Sequence, residues 1–121
     1  MKKTVVIGAS PNPGRYAYKA AFDLNDHGHE FIPVGIKKGV LHGKQILDIR
    51  TSPAVTDVDT VTMYIGPQHQ PPYYDYILSL QPKRIIFNPG TENPEFEKLA
   101  QAKGIETEEA CTLVLLSIGS Y

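Results

Sequence analysis

The first stretch that could support chemistry is a glycine- and proline-rich loop, Gly8 to Arg15, between an apolar run and a helical pattern. In many α/β proteins the backbone N–H groups of such a loop, together with the positive end of the following helix dipole, bind phosphate. Gly8 would let the chain turn sharply and let a ligand approach closely. Ser10 supplies a hydroxyl, and Arg15 places a fixed cation at the start of the helix. The stretch therefore predicts a phosphate-binding loop.

This loop matches neither of the two familiar phosphate-binding patterns. The dinucleotide pattern G-x-G-x-x-G would need glycine at the positions of Ser10 and Pro13. A P-loop would end in Gly-Lys-Ser or Gly-Lys-Thr, which this loop lacks. A proline-stiffened turn without a ligand therefore stays open as an alternative. If the loop does bind phosphate, a Gly8→Val change is expected to block a diphosphate without unfolding the sheet.

A lysine pair follows the second predicted strand, at a position that discriminates among nucleotides. Proteins that bind NAD place Asp or Glu there to hydrogen-bond the ribose hydroxyls. This chain has Lys37 and Lys38 instead, and no acidic residue stands between Glu30 and Asp48. Two cations suit a ribose that carries a phosphate, as in coenzyme A or NADP. A solvated loop with no ligand is the alternative interpretation of the pair.

Alternating strands and helices are predicted to position these residues. Apolar runs indicate strands at 3–7, 30–34, 60–65, 84–87 and 105–108, with a short one at 44–47. Helical spacing and capping signals indicate helices at 15–26, 73–80 and 93–103; the apolar stretch 112–120 is interpreted as a helix, with a strand as the alternative. The alternation predicts an α/β, three-layer, Rossmann-like fold, with a mostly parallel sheet of about five strands and helices on both faces. The glycine-rich stretch 35–43 is interpreted as a loop.

Gly/Pro-rich loops follow several of these strands. They lie at 8–14, 35–43, 66–72 and 88–91. Ligands of parallel sheets bind beyond the carboxyl ends of the strands, where the strand order reverses. We therefore expect these loops to converge on one crevice.

Length, charge and cysteine content narrow the functional classes. The 121 residues are expected to form one domain, 1–121, and the net charge of −1 argues against a general nucleic-acid or membrane-surface binder. Cys111 is the only cysteine, which excludes an internal disulfide and favours a reducing, cytoplasmic location. Glu106, Glu108 and Glu109 lie close before it in sequence and oppose a thiolate, and free cysteines are often buried, so we expect a buried, inert thiol rather than a nucleophile. The scattered histidines predict no metal site.

Several segments together resemble the small stand-alone CoA-binding domain proteins, which are similar to the N-terminal CoA-binding domain of the succinyl-CoA synthetase α subunit. These segments are 5–16, Pro33-Val34, Tyr64-Ile65-Gly66-Pro67, Asn88-Pro89-Gly90-Thr91 and Glu109-Ala110-Cys111-Thr112. The resemblance covers nearly the whole chain and is most specific in the first loop. It implies a Rossmann-like sheet with coenzyme A lying across the strand ends. Gly35-Ile36 departs from the Asn-Pro that commonly follows Pro-Val in that family.

The resemblance also implies a set of cofactor-binding residues. The diphosphate would contact Gly8, Ser10, Asn12 and Arg15, and Ala9 and Gly14 of the same loop complete this group. Val34 with Lys37 or Lys38 would contact the adenosine ribose and its 3′-phosphate. Ile65, Gly66 and Pro67 would line the adenine or pantetheine path, and Asn88, Pro89 and Gly90 the far wall.

The predicted function is non-catalytic binding of coenzyme A or an acyl-CoA, with no catalytic residue assigned. A small NADP-dependent oxidoreductase and a regulatory domain that has lost its ligand are the alternatives. A chain of this size leaves little room for a second reactant, which disfavours hydride transfer. The expected partner is a small-molecule nucleotide, without nucleic acid or membrane. A homo-oligomer or an unknown protein partner stays open.

Overall fold

A six-stranded parallel sheet forms the centre of the computed structural model, which describes residues 1–121. In chain order the strands are β1 (Thr4–Ile7), β2 (Phe31–Gly35), β3 (Val40–Leu41), β4 (Lys44–Gln45), β5 (Leu47–Asp48), β6 (Thr60–Met63), β7 (Arg84–Phe87) and β8 (Glu106–Glu109). The sheet has the order β5-β2-β1-β6-β7-β8, and every neighbouring pair is parallel. Strand order therefore reverses between β1 and β6.

Helices cover both faces of this sheet. They are α1 (Tyr16–Asp26), α2 (Tyr74–Ser79), α3 (Pro94–Ala102) and α4 (Thr112–Ser117). One buried cluster joins α1 and α4 to one face through residues such as Leu24 and Leu116. The other joins α2 and α3 to the opposite face through residues such as Ile77 and Phe96. These layers confirm the predicted three-layer, Rossmann-like fold.

The first strand–helix–strand unit follows directly from its sequence. All four residues of β1 are buried, as expected of β-branched and apolar residues in an inner parallel strand. α1 buries Ala17, Ala20, Ala21 and Leu24, and the alanines let the helix approach the sheet closely. Gly28 has φ +81°, the left-handed conformation expected of a helix-ending glycine.

The segment between β2 and β6 differs from the sequence expectations. The sheet has six strands rather than about five, because β5 adds a short edge strand that pairs Val34 with Leu47 and Gly35 with Asp48. Part of the stretch 35–43, expected to be a loop, forms β3 and pairs with β4 in an antiparallel hairpin. The single short strand expected at 44–47 is divided in the structure between β4 and β5, which pair with different strands. None of the helices has the length and apolar character that crossing a bilayer requires.

Candidate functional site

The carboxyl ends of β1, β2, β6 and β7 open into one cleft of about 900 Å³. Each of the four expected loops contributes to its lining, so the predicted convergence is confirmed. The predicted residues that line it are Gly8, Ala9, Ser10, Gly14, Arg15, Lys37, Ile65, Gly66, Pro89 and Gly90. A second, more open groove of about 640 Å³ lies beside the carboxyl ends of α2 and α3 and contains none of the predicted residues.

Internal hydrogen bonds hold the first loop in shape. The amides of Gly8 and Ala9 both donate to the carbonyl of Val34, at 2.9 and 3.2 Å. The amide of Asn12 donates to Oγ of Ser10 at 3.1 Å, and Oδ1 of Asn12 accepts from the amide of Gly14 at 2.9 Å. These amides are therefore used within the protein, contrary to the expectation that the loop directs them at an anion.

Gly8 is required by the packing of β1 against β6. It has φ +93°, and a Cβ built there would lie 2.8 Å from the carbonyl oxygen of Tyr64 and 2.8 Å from Cγ2 of Ile65. A side chain at this position must push neighbouring backbone aside. The structure thus contradicts the expectation that Gly8→Val would spare the sheet.

The donors open to the cleft lie at the start of α1. No side chain hydrogen-bonds the first-turn amides of α1, and the residue before the helix is Arg15. α3 differs, because Oδ1 of Asn93 accepts from the amide of Phe96 at 3.1 Å. Arg15 and Lys37 line the cleft without a carboxylate partner, since the ion pairs of the protein are Arg50–Asp48 and Arg84–Glu108. The mouth of α1 therefore combines uncapped amides with an unpaired cation.

The other predicted residues lie outside the lining of the cleft. Val34 belongs to the core, and Asn12, Lys38 and Pro67 are exposed on the loops. Asn88 is buried beneath the cleft: its Nδ2 donates to Oγ1 of Thr62 at 2.7 Å and to the carbonyl of Met63 at 2.9 Å. Its Oδ1 accepts from the amide of Thr112 at 2.8 Å. Asn88 thus ties β6, β7 and α4 together.

Comparison with known families identifies the chain. A family model described as "CoA binding domain" matches residues 2–117, which include the cleft and every loop around it. The chain belongs to this CoA-binding domain family. No curated protein matches it.

Solved structures resemble this CoA-binding domain over most of its length. An uncharacterized protein is 58% identical, with a TM-score of 0.96, and the match covers 100% of this chain and 98% of the other. A hypothetical protein from Pyrococcus horikoshii OT3 is 26% identical, with a TM-score of 0.80 over 93% and 80% of the two chains. A Thermus thermophilus structure at 22% identity and TM-score 0.82, covering 99% and 91%, shares the fold.

The cleft of this CoA-binding domain also contains residues that were not among the expected cofactor-binding residues. Ile49 follows the short edge strand β5, and Tyr73 and Thr91 come from the loops after β6 and β7. Tyr64 stands one residue after β6, and its hydroxyl is buried without a hydrogen-bond partner. Burial raises the pKa of Tyr64 far above its usual value, so the phenol stays protonated. Tyr64 and Thr91 had a sequence signal, since each lies in a segment that carries the family resemblance, whereas Ile49 and Tyr73 had none.

An acidic residue does stand beside the end of β2. β5 pairs Asp48 with Gly35, and Arg50 donates from Nε to Oδ1 of Asp48 at 2.9 Å and from Nη2 to Oδ2 at 3.0 Å. These hydrogen bonds lower the pKa of Asp48. The negative charge of the Asp48 carboxylate is therefore balanced by the guanidinium of Arg50. The segment between Glu30 and Asp48 contains no acidic residue, but the fold places the carboxylate of Asp48 next to the end of β2.

Cys111 lies at the start of α4 and outside the cleft lining. It is partly exposed rather than buried as expected. No group of three or more His, Cys, Asp or Glu side chains is arranged to hold a metal ion.

Proposed function

We propose that this domain binds coenzyme A or an acyl-CoA in the cleft at the carboxyl edge of its sheet. The observation that carries the proposal is the mouth of α1, where uncapped helix amides and the unpaired Arg15 face a cleft inside a CoA-binding family domain. Free first-turn amides and a helix dipole favour an anion at that point. A guanidinium adds bidentate, charge-assisted hydrogen bonds to phosphate oxygens. The diphosphate is therefore assigned to Ser10, Arg15 and the first turn of α1.

The ribose phosphate is assigned to the loop after β2. Lys37 lines the cleft there and Lys38 adjoins it, while Arg50 neutralises the neighbouring Asp48. The local charge is thus positive, which suits a 3′-phosphate. This assignment favours coenzyme A over its dephospho form. The comparisons give no support to NADP as the ligand.

The pantetheine arm is assigned to the other side of β1. The ends of β2, β1, β6 and β7 span roughly 14 Å at the usual spacing of parallel strands. Such a cleft suits an extended ligand lying across the strand ends. With the ribose phosphate beside β2, the arm runs between the loops after β6 and β7, past Ile65 and Gly90.

The test begins with the purified protein. Mass spectrometry of the supernatant after denaturation should detect co-purified coenzyme A, and calorimetry after its removal should show binding. Arg15→Ala should weaken coenzyme A by about 1.5–3 kcal/mol, the value of a hydrogen bond to a charged group. Lys98→Ala, which removes an exposed cation of α3, is the matched control and should leave affinity unchanged. Absence of binding by the parent protein would refute the proposal.

We also propose that the bound thioester is not turned over. Cys111, the only thiol of the chain, lies outside the cleft lining. Acetyl-CoA and succinyl-CoA should release free coenzyme A at the same background rate with the parent protein and with Cys111→Ser. Hydrolysis that disappears in Cys111→Ser would make the protein an enzyme. We further propose that residues 1–121 form a single domain and that the protein is cytoplasmic.

A further inference from the structure

Gln70 is a wholly buried polar residue in the loop after β6. Its Nε2 donates to the carbonyl of Ile65 at 3.0 Å and to the carbonyl of Thr91 at 2.8 Å. Ile65 and Thr91 both line the cleft, one from the loop after β6 and the other from the loop after β7. One side-chain amide therefore joins the two loops directly.

Asn93 completes the connection to α3. Its Nδ2 donates to Oε1 of Gln70 at 2.9 Å and to the hydroxyl of Tyr74 at 2.7 Å. Its Oδ1 caps α3 by accepting from the amide of Phe96. Both amide hydrogens and the oxygen of each side chain thus have partners. Since a buried polar group without a partner is costly, this network favours one relative placement of the two loops.

We propose that Gln70 is a positioning residue that sets the spacing between the loops after β6 and β7, and so determines how tightly the cleft binds a pantetheine arm. Gln70 itself does not line the cleft, and it acts through Ile65 and Thr91. The inference rests on the proposed function, because it needs coenzyme A as the ligand. The adenosine end of the ligand depends on other loops, those of Arg15 and Lys37.

This arrangement predicts a split between two ligands. Loss of Gln70 should weaken coenzyme A, which reaches the loops after β6 and β7. It should leave adenosine 3′,5′-bisphosphate unchanged, because that fragment lacks the pantetheine arm. A purely structural role would move both affinities together or neither of them.

The experiment measures both dissociation constants by calorimetry for the parent protein, Gln70→Ala and Gln70→Glu. Gln70→Glu keeps the size of the side chain but turns a donor toward two carbonyl oxygens into an acceptor. Tyr76→Phe is the control, because it removes a partly buried hydrogen bond, from the hydroxyl of Tyr76 to the carbonyl of Pro53 at 2.7 Å, away from the cleft. We expect coenzyme A to bind about tenfold more weakly to both Gln70 variants, as for the loss of one or two hydrogen bonds. The bisphosphate should stay within about twofold for every variant, and Tyr76→Phe should change neither ligand.

The outcomes separate this inference from the proposed function. A parent protein that does not bind coenzyme A overturns both. A parent protein that binds it, with Gln70 variants that bind it equally well or that lose both ligands in proportion, overturns the role of Gln70 alone. If neither Gln70 variant folds, the inference is tested by backbone amide hydrogen exchange of the parent protein. Coenzyme A, but not the bisphosphate, should then slow exchange in residues 66–73 and 88–93, and equal protection by both ligands refutes the inference.

Discussion

The start of α1 with its neighbouring cations and the loops after β6 and β7 satisfy their polar groups in opposite ways. At the mouth of α1 no side chain caps the helix, and Arg15 and Lys37 have no carboxylate partner. Between the loops after β6 and β7, Gln70 and Asn93 are buried and every polar atom of their side chains is hydrogen-bonded. Unused donors can bind a ligand, whereas satisfied ones maintain a shape. Under the proposed function, one side therefore recognises the charge of the ligand and the other determines its position.

Gly8 lies between the two sides, and its replacement should have the largest effect. Gly8→Val combines an unfavourable positive φ with a Cβ that overlaps the backbone of Tyr64. We expect the free energy of unfolding to fall by roughly 3 kcal/mol or more, the sum of backbone strain and overpacking. Denaturant unfolding measures this. Gly14→Ala is the control from the same loop, since a Cβ there meets only Oδ1 of Asn12 at 3.3 Å. Parent-like stability of Gly8→Val would contradict the packing argument.

Two asparagines, the buried Asn88 and the exposed Asn12, test how much burial adds to the contribution of hydrogen bonds to stability. Asn88→Ala removes three hydrogen bonds in the core and should lower the free energy of unfolding by roughly 2–3 kcal/mol. Asn12→Ala removes one exposed bond to the amide of Gly14 and should cost under about 1 kcal/mol. Thermal and denaturant unfolding of both variants test the difference. Equal losses of unfolding free energy in the two variants would show that burial does not determine how much each asparagine contributes to stability.

The lysine pair tests the charged side of the cleft. The double variant Lys37→Ala/Lys38→Ala should weaken coenzyme A by about 1.5–3 kcal/mol while leaving dephospho-CoA unchanged. The parent protein should prefer coenzyme A, and the variant should bind both ligands alike. Calorimetry with the two ligands gives the ratio, with Lys98→Ala as the control for loss of an exposed cation. Equal affinities of the parent protein for the two ligands would indicate that the lysines only form a solvated loop and do not bind the ribose phosphate.

His29 lies outside both sides and should show the smallest effect. Burial, together with nearby positive charge that includes the N-terminal amine and Lys2, lowers the pKa of His29 below its usual 6.5. Its Nδ1 accepts from the amide of Lys2 at 2.9 Å, which requires that nitrogen to be unprotonated. The unfolded chain therefore takes up the proton first as pH falls. The stability contributed by neutral His29 is complete above pH 6.5 and declines as pH falls through the lower, folded-state pKa.

Urea unfolding between pH 8 and pH 5 measures this decline in the parent protein and in His29→Gln. The variant should lose less stability over the same interval, and its affinity for coenzyme A should match that of the parent protein. An identical pH dependence of the two proteins would exclude His29 as the cause.

Local patterns in the sequence determined much of this protein. The strand–turn–helix start, the helix end at Gly28 and the loops at the strand ends follow from residues that are neighbours in sequence. A parallel sheet then brings the carboxyl ends of its strands to one edge. The convergence of the four loops could therefore be predicted, as could the place of Arg15 at the mouth of α1.

Only the tertiary structure decided which polar groups have partners. Asn88 follows a strand as Gly8 does, yet its side chain is buried and hydrogen-bonded to Thr62 and Thr112. Asp48 is distant from Gly35 in sequence, but the two pair across neighbouring strands. Gln70 stands in a polar loop without periodicity, and its partners come from another loop. Periodicity indicates which way a side chain faces; the atoms that it meets there come from distant parts of the chain.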